Sequence, residues 1–199
     1  ISIVCNLSSS TKKVPSLLTF TEVSTIFHEF GHALHGILSK VTYSSLASPQ
    51  VYWDFVELPS QIMENWLSES ETLNLFARHY LTDEFIPENL VKKIQKSKEF
   101  CVGIRGVSHY QQSILDMAWH TGDPTAIQDV GKFEDKIVSN TRLFPNIEGT
   151  NRSCNFGHIF AGGYSAGYYS YRWAEVLDAD AFEHFKENGI FNKEIAKSF

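Results

Sequence analysis

The chain has 199 residues, of which 43% are hydrophobic and 20% charged, a balance typical of a globular protein with a sizeable core. Its net charge of −6 supplies no basic patch of the kind that binds nucleic acid or anionic membranes, so we expect neither partner. No apolar run is long enough to span a membrane, no signal peptide is recognisable, and the three cysteines are widely spaced, which predicts reduced thiols in a cytoplasmic protein.

Most hydrophobic patterns in the chain have helical periodicity. A single short strand is predicted at residues 1–7. Helices are predicted at about residues 20–38, 55–67, 71–80, 87–102, 107–120, 125–139, 163–177 and 179–188. The sequence therefore predicts a mainly α fold with a small β element, forming a single domain over residues 1–199.

The first predicted helix has a clear start. Thr19 and Glu22 form the capping-box pattern T-x-x-E immediately before an apolar run that continues at helical intervals to Leu38. Because apolar residues lie nearly all around this helix, we expect it to be buried.

This helix carries the motif H-E-x-x-H. His28 and His32 are four residues apart and share one helix face, so both imidazoles can reach a single metal ion. Glu29, between them, can then reach a water molecule at that metal, which is the arrangement of zinc hydrolases. Polar groups on a buried helix require a compensating partner, and a metal ion is the simplest one.

A catalytic zinc ion usually has three protein ligands and one open position. Three carboxylates in the next predicted helix are candidates for the third ligand: Asp54, Glu57 and Glu64. Pro59 fits only in a first helical turn, which puts Glu57 near the amino end, where the helix dipole favours an ionised carboxylate. Glu64 lies two turns further along the same face, and spacing alone leaves it open as the ligand.

The two segments together, H-E-F-G-H-A-L-H-G and D-F-V-E-x-P-S-Q-x-x-E-x-W, resemble the signature of the thimet oligopeptidase family of zinc metallopeptidases, with its oligopeptidase A and peptidyl-dipeptidase branches. The resemblance extends over about residues 3–199 and implies a zincin-type helical catalytic core, incomplete at both ends relative to the family, with one zinc ion. The zinc ligands that it implies are His28, His32 and Glu57. It also implies that Glu29 is the general base and that Glu64 orients a ligating histidine.

A second constellation lies near the carboxyl end. Tyr164, Tyr168 and Tyr171 follow the pair Gly162-Gly163 at spacings of four and three, which predicts a phenolic stripe on one helix. An aromatic stripe ordinarily means core packing, but phenol O–H groups are also good donors to the oxyanion of amide hydrolysis. The glycine pair can act as a hinge or permit a close backbone approach.

The segment H-I-F-A-G-G-Y-x-A-G-Y-Y-S-Y-x-W resembles the matching segment of the oligopeptidase A and peptidyl-dipeptidase branches. The resemblance implies that His158, Tyr164 and Tyr171 contact substrate and stabilise the transition state. It implies a mobile glycine-rich loop that closes over bound peptide. The further substrate-binding residues that it implies are Tyr168, Gly162 and Gly163.

The sequence therefore predicts a monomeric zinc-dependent enzyme that hydrolyses short oligopeptides, either as an oligopeptidase or as a peptidyl-dipeptidase. The alternative is a catalytically incompetent fragment that acts as a peptide-binding module, and the complete ligand set with Glu29 argues against it. A purely structural zinc site would normally have four protein ligands, often cysteines, and no cysteine lies near these motifs.

Overall fold

The computed structural model describes all 199 residues and is mainly α, which confirms the predicted fold class. Ten α-helices follow one another along the chain, together with five three-residue turns of 3-10 helix. The helices are α1 Phe20–Leu38, α2 Trp53–Val56, α3 Leu58–Asn65, α4 Ser70–Phe76, α5 Glu88–Glu99, α6 Val102–Thr121, α7 Val130–Val138, α8 Gly157–Phe160, α9 Ser170–Asn188 and α10 Lys193–Ser198.

The small β element predicted at residues 1–7 is not present. These residues have no regular secondary structure, and the side chains of Ile1 and Val4 are 81% and 84% exposed. The only β pairing in the chain is an isolated antiparallel bridge between Arg78 and Phe85. A strand forms only where a neighbouring strand pairs with its backbone, and none lies beside residues 1–7.

Helix α1 has the predicted boundaries, and its start is fixed by local hydrogen bonds. The Glu22 backbone N–H donates to Thr19 Oγ1 at 3.3 Å, and Glu22 Oε2 accepts from the Thr19 backbone N–H at 2.7 Å. Ser8 N–H adds a bond of 2.6 Å to Glu22 Oε1. The bonds from Ser8 and Thr19 hold the charged form of the carboxyl group and lower the pKa of Glu22 to about 2.

The prediction that α1 is buried all around is wrong. Only Gly31 and Ala33 are buried in it, and Phe30, Ile37 and Leu38 are exposed. The helix packs one face against α3, and its amino-terminal half packs against a core cluster of Leu67, Leu73 and Val91. The apolar residues of α1 that face away from α3 and this cluster remain in contact with solvent.

The helix predicted over residues 55–67 is interrupted at Glu57, which ends α2 and precedes α3. Pro59 lies in the first turn of α3, as its chemistry predicts. A continuous helix would put this proline in a helix interior, where it lacks the N–H donor and its ring clashes with the preceding turn.

The chain forms two compact units, the first comprising Ile1–Ser97 and Arg172–Phe199 and the second Lys98–Tyr171. The first unit has two core clusters: one of Leu67, Leu73 and Val91, the other of Ile62, Phe182, Phe185 and Ile190. The second unit has one core cluster, formed by Leu115, Val138, Phe156, Ile159 and Tyr168. None of the helices combines the length and the hydrophobicity needed to cross a lipid bilayer.

Candidate active site

The first unit contains a compact group of possible metal ligands. The rings of His28 and His32, one helical turn apart on α1, have centroids 5.0 Å apart. The Nε2 atoms of both rings lie 3.3 Å from the same carboxylate oxygen, Oε2 of Glu57. The ligand atoms of the three residues all lie within 4.8 Å of one another, so the structure brings the predicted ligand set together around one point.

The interruption between α2 and α3 positions the Glu57 carboxylate. Its side chain is only 1% exposed, and Ser60 Oγ donates to Glu57 Oε2 at 2.8 Å. Ser60 Oγ also lies 2.9 Å from the Glu57 carbonyl oxygen. The carboxylate is therefore held in a buried position by the first turn of the helix that follows it.

Gly31, inside the H-E-x-x-H motif, lies where α1 crosses the start of α3. A Cβ atom at this position would be 2.2 Å from the Pro59 carbonyl oxygen and 2.6 Å from Cα of Ser60. Both are backbone atoms, so only a glycine permits this approach. The close crossing brings the two histidines of α1 within reach of Glu57.

Glu64 lies on the outer side of His28. Its Oε1 is 2.8 Å from His28 Nδ1, and its Oε2 accepts a hydrogen bond of 2.9 Å from Ser24 Oγ. A proton on Nδ1 that is donated to Glu64 leaves the Nε2 lone pair of His28 directed towards Glu57. This is the geometry of a carboxylate that orients a metal-ligating imidazole.

Two carboxylates also control the charge of His28. Burial opposes protonation of the ring, but hydrogen bonds and charge interactions with Glu57 and Glu64 outweigh it and raise the pKa of His28 to about 9. A cation is therefore favoured between these carboxylates, and a divalent metal would take the place of the proton.

The donor set fits zinc. Two imidazole nitrogens and one carboxylate oxygen are the ligands of many catalytic zinc sites, and no fourth histidine, cysteine or carboxylate joins the group, which leaves a coordination position open. His35 lies outside the group; its ring packs edge-on against Phe55 at 5.8 Å between centroids, and burial lowers its pKa. Glu29 is partly buried and lies between His28 and His32 in the sequence of α1.

The second unit contains the residues of the tyrosine motif in one cluster. Tyr164 and Tyr171 stack at 5.1 Å between centroids with planes 20° apart, and Tyr168 lies 5.3 Å from Tyr171. The His158 ring is 6.0 Å from Tyr164 and 6.3 Å from Tyr171. Four of the predicted site residues therefore share one aromatic cluster.

The prediction that the three tyrosines form a stripe on one helix is wrong. Tyr164 and Tyr168 lie in a series of turns over residues 161–169, and only Tyr171 belongs to α9. Gly163 and Ala166 have φ angles of +87° and +53°, which no right-handed helix contains. The tyrosine rings come into contact because the chain turns back on itself over residues 161–169.

The glycine pair meets two backbone requirements of these turns. A Cβ atom on Gly162 would lie 2.9 Å from the carbonyl oxygen of His158 and 3.0 Å from its Cα, and Gly163 has a positive φ. The Tyr164 backbone N–H then donates to that same carbonyl at 3.0 Å. Of the two interpretations of the glycine pair, the close backbone approach is present in the structure.

The members of the tyrosine cluster differ in exposure. Tyr168 is 9% exposed and stacks on His109 at 4.9 Å. Burial raises the pKa of the Tyr168 phenol, and the neighbouring Arg152 partly opposes that shift. His158 is exposed and Tyr164 and Tyr171 are partly buried, so these three keep surface available to a ligand.

Three residues of these two clusters were not identified from the sequence: Ser24, Ser60 and Asp116. Ser60 follows Glu57 by three residues, and this helical spacing could have indicated its contact. Ser24 contacts Glu64, 40 residues further along the chain, and no local pattern indicates that contact. Asp116 is 50 residues before the turns that it contacts, and no local pattern connects them.

The helical fold and this ligand group make the chain a candidate metal-dependent hydrolase. Sequence comparison identifies the family. Residues 1–199 match peptidase family M3 over their whole length, and the chain belongs to this family. The match confirms the resemblance on which the assignments rest.

Curated relatives of this chain have oligopeptidase and carboxypeptidase names. The chain is 42% identical to the probable cytosolic oligopeptidase A of Arabidopsis thaliana, over 94% of the chain and 27% of that protein. It is 40% identical to oligopeptidase A of Haemophilus influenzae, over 99% of the chain and 29% of that protein. It is 38% identical to the dipeptidyl carboxypeptidase of Escherichia coli, over 96% of the chain and 28% of that protein. The chain thus spans less than a third of the length of these relatives.

Proposed function

We propose that the protein containing this chain hydrolyses short oligopeptides with a zinc ion held by His28, His32 and Glu57. The observation that carries this proposal is the position of one buried carboxylate oxygen 3.3 Å from both Nε2 atoms of an H-E-x-x-H helix. Membership of peptidase family M3 and the names of the relatives support a peptide as the substrate.

The residues around the metal ion are proposed to have separate chemical roles. A zinc ion held by these residues would supply Lewis-acid chemistry toward the scissile carbonyl and the attacking water. Glu29 accepts a proton from that water and passes it to the leaving amine. Glu64 holds the His28 ring in the orientation that directs Nε2 to the cation.

The tyrosine cluster is proposed to supply the neutral donors. The hydroxyls of Tyr164 and Tyr171 donate to the oxyanion of the substrate, and the exposed His158 contacts the peptide beside them. Tyr168, Gly162 and Gly163 are proposed to form the adjoining substrate surface. These roles rest on the family resemblance and on the grouping of the rings in the second unit.

The decisive experiment is Glu29→Gln in the full-length protein. We expect the variant to retain zinc, because Glu29 is not a ligand, and to lose turnover of a quenched fluorescent peptide by about 100-fold or more. Glu71→Gln, an exposed position on α4, is the matched control for loss of one carboxylate. Zinc binding with undiminished turnover in Glu29→Gln would refute the assignment of the base.

The position of cleavage is a separate question, since the relatives include both an oligopeptidase and a dipeptidyl carboxypeptidase. One peptide, offered with a free and with an amidated carboxyl end, separates the two activities. A peptidyl-dipeptidase requires the free carboxylate, whereas an endo-acting oligopeptidase cuts both forms.

The cytoplasmic location and the monomeric state remain predictions from the sequence. One Arabidopsis relative is named as cytosolic, and another that is 43% identical is named as chloroplastic and mitochondrial. Fractionation of cells and light scattering of the purified full-length protein test these two properties.

A further inference from the structure

A buried carboxylate in the second unit contacts the turns that carry the tyrosines. Asp116, on α6, is 1% exposed. Its Oδ1 accepts a hydrogen bond of 2.9 Å from the backbone N–H of Ala166, and its Oδ2 accepts one of 2.9 Å from the backbone N–H of Tyr168. On its other side, Oδ1 lies 2.8 Å from Nδ1 of His120, one turn further along α6.

The two backbone N–H groups that donate to Asp116 belong to Ala166 and Tyr168, on either side of Gly167. Ala166 has a φ of +53°, a conformation that a residue with a Cβ adopts only when its surroundings impose it. The Gly167 N–H closes the turn onto the Tyr164 carbonyl oxygen at 2.9 Å. Because Gly167 and Tyr168 are buried, water has little access to the Tyr168 N–H and cannot readily replace Asp116 as its acceptor.

The geometry of these turns determines the positions of the phenols. Tyr164 precedes Ala166 by two residues, and Tyr168 follows it by two. Tyr171 stacks on Tyr164 and contacts Tyr168 edge-on. A carboxylate that bonds the backbone on both sides of Gly167 therefore acts on the spacing between the rings.

We propose that Asp116, supported by His120, is a positioning residue for peptide hydrolysis: its two oxygens hold the turn at residues 164–168 so that the Tyr164 and Tyr171 hydroxyls stand ready to donate to the oxyanion. This inference rests on the proposed function. Asp116 touches neither substrate nor metal ligand in this role, and it acts entirely through the turn.

The test substitutes Asp116→Asn in the full-length protein. An asparagine of the same shape keeps one accepting oxygen, so at least one of the two amides loses its partner. Asp135→Asn is the matched control, because Asp135 forms an ion pair with Arg142 in the same unit and does not contact the turns. Hydrogen–deuterium exchange of peptides covering residues 162–169 reads the turn directly, and steady-state kinetics reads the catalytic consequence.

We expect faster exchange of residues 162–169 in Asp116→Asn and a fall in kcat of about 100-fold, with KM changed far less, because misplaced donors weaken transition-state contacts selectively. Tyr164→Phe should cost much less in the Asp116→Asn background than in the native protein, since both changes disable the same donor. Zinc content should be unchanged, as the ligands lie in the first unit. Asp135→Asn should show none of these effects.

The outcomes separate the two proposals. Native exchange of residues 162–169 in Asp116→Asn would overturn the hydrogen-bonding role, whatever the activity. Faster exchange with an unchanged kcat, or fully additive effects with Tyr164→Phe, would reduce Asp116 to a structural residue and overturn the proposal. A native full-length protein that cleaves no peptide would instead refute the proposed function, and the positioning role with it. If Asp116→Asn fails to fold, His120→Gln, which removes the contacts of the imidazole with Oδ1 and the carbonyl oxygen of Asp116, should give the same pattern at smaller amplitude.

Discussion

The two glutamates beside His28 have different environments. Glu57 is almost completely buried and contacts the imidazoles of His28 and His32 through one oxygen. The side chain of Glu64 is 36% exposed and contacts the nitrogen of His28 that faces away from Glu57. Spacing alone left either residue as the third ligand, and the structure places Glu57, the residue that the resemblance selects, at the centre of the group.

Glu64→Gln is expected to weaken zinc binding without abolishing it. The neutral amide still accepts a hydrogen bond from His28 Nδ1, but it no longer stabilises the imidazole by its charge. Loss of such a partner typically lowers metal affinity by about 10–100-fold. A competition titration with a zinc-binding dye measures the change. Glu71→Gln, outside the site, should leave the affinity unaltered, and an unaltered affinity in Glu64→Gln would contradict the orienting role.

The Glu22 carboxylate makes the stability of α1 dependent on pH. Its pKa is lowered to about 2 in the folded chain, against a reference of 4.5. Its contribution is therefore fully present above about pH 4.5 and is lost as the pH falls towards 2. The difference in the free energy of unfolding between the native protein and Glu22→Gln should shrink over that interval, as measured by urea denaturation. Glu71→Gln controls for general loss of charge, and a difference that stays constant from pH 7 to pH 2 would contradict this view.

At the level of helices, the ends that local chemistry defines were predictable and the others were not. The capping box of Thr19 and Glu22 fixed the start of α1, and Pro59 marked the first turn of α3. The turns at residues 161–169 could not be predicted, because the left-handed Ala166 donates its backbone N–H to Asp116, 50 residues away in the sequence. The i, i+4, i+7 spacing of the tyrosines identified the residues correctly as a group and the conformation incorrectly.

The crossing of α1 and α3 leaves no room for a side chain at Gly31. In Gly31→Ala the new methyl group would collide with the backbone of Pro59 and Ser60, which must move away with Glu57. We expect a loss of about 1–3 kcal/mol in the free energy of unfolding from overpacking, together with weaker zinc binding.

Gly103→Ala is the control for Gly31→Ala, because Gly103 is also a helical glycine and its added Cβ would meet nothing within 4 Å. An alanine there should be neutral or stabilising by up to about 1 kcal/mol. Thermal denaturation and zinc titration of both variants measure these effects. Equal stabilities of Gly31→Ala and Gly103→Ala would contradict the close crossing.

Across the whole chain, composition and periodicity were enough to predict a mainly α protein, while its division into two units was not foreseen. The two units have separate core clusters, and the first is formed by segments from both ends of the chain. Such pairing of distant segments leaves no local signal in a sequence. The members of the ligand group were predictable because His28 and His32 occupy one helix face and the family resemblance selects Glu57 among the carboxylates of the next motif.

Zinc is expected to stabilise the first unit selectively. All three ligands belong to it, and a ligand that binds only the folded state stabilises by mass action, by about 2.7 kcal/mol at a concentration of 100 times Kd. Added zinc should raise the melting temperature and slow hydrogen exchange in residues 20–38 and 53–65. His28→Ala removes a ligand and should abolish both responses. A native protein whose melting is indifferent to zinc and to chelators would exclude a resident ion at these ligands.

The segment between α1 and α2, residues 39–52, follows the two histidines in the chain and precedes Glu57, yet it makes no contribution to the ligand group. Most of its side chains are exposed, and the approach of Gly31 to Pro59 determines where Glu57 lies. Its length and composition can therefore change during evolution, or be redesigned in the laboratory, without altering the three residues of the ligand group. A graft of foreign residues into this segment is therefore expected to leave zinc affinity unchanged.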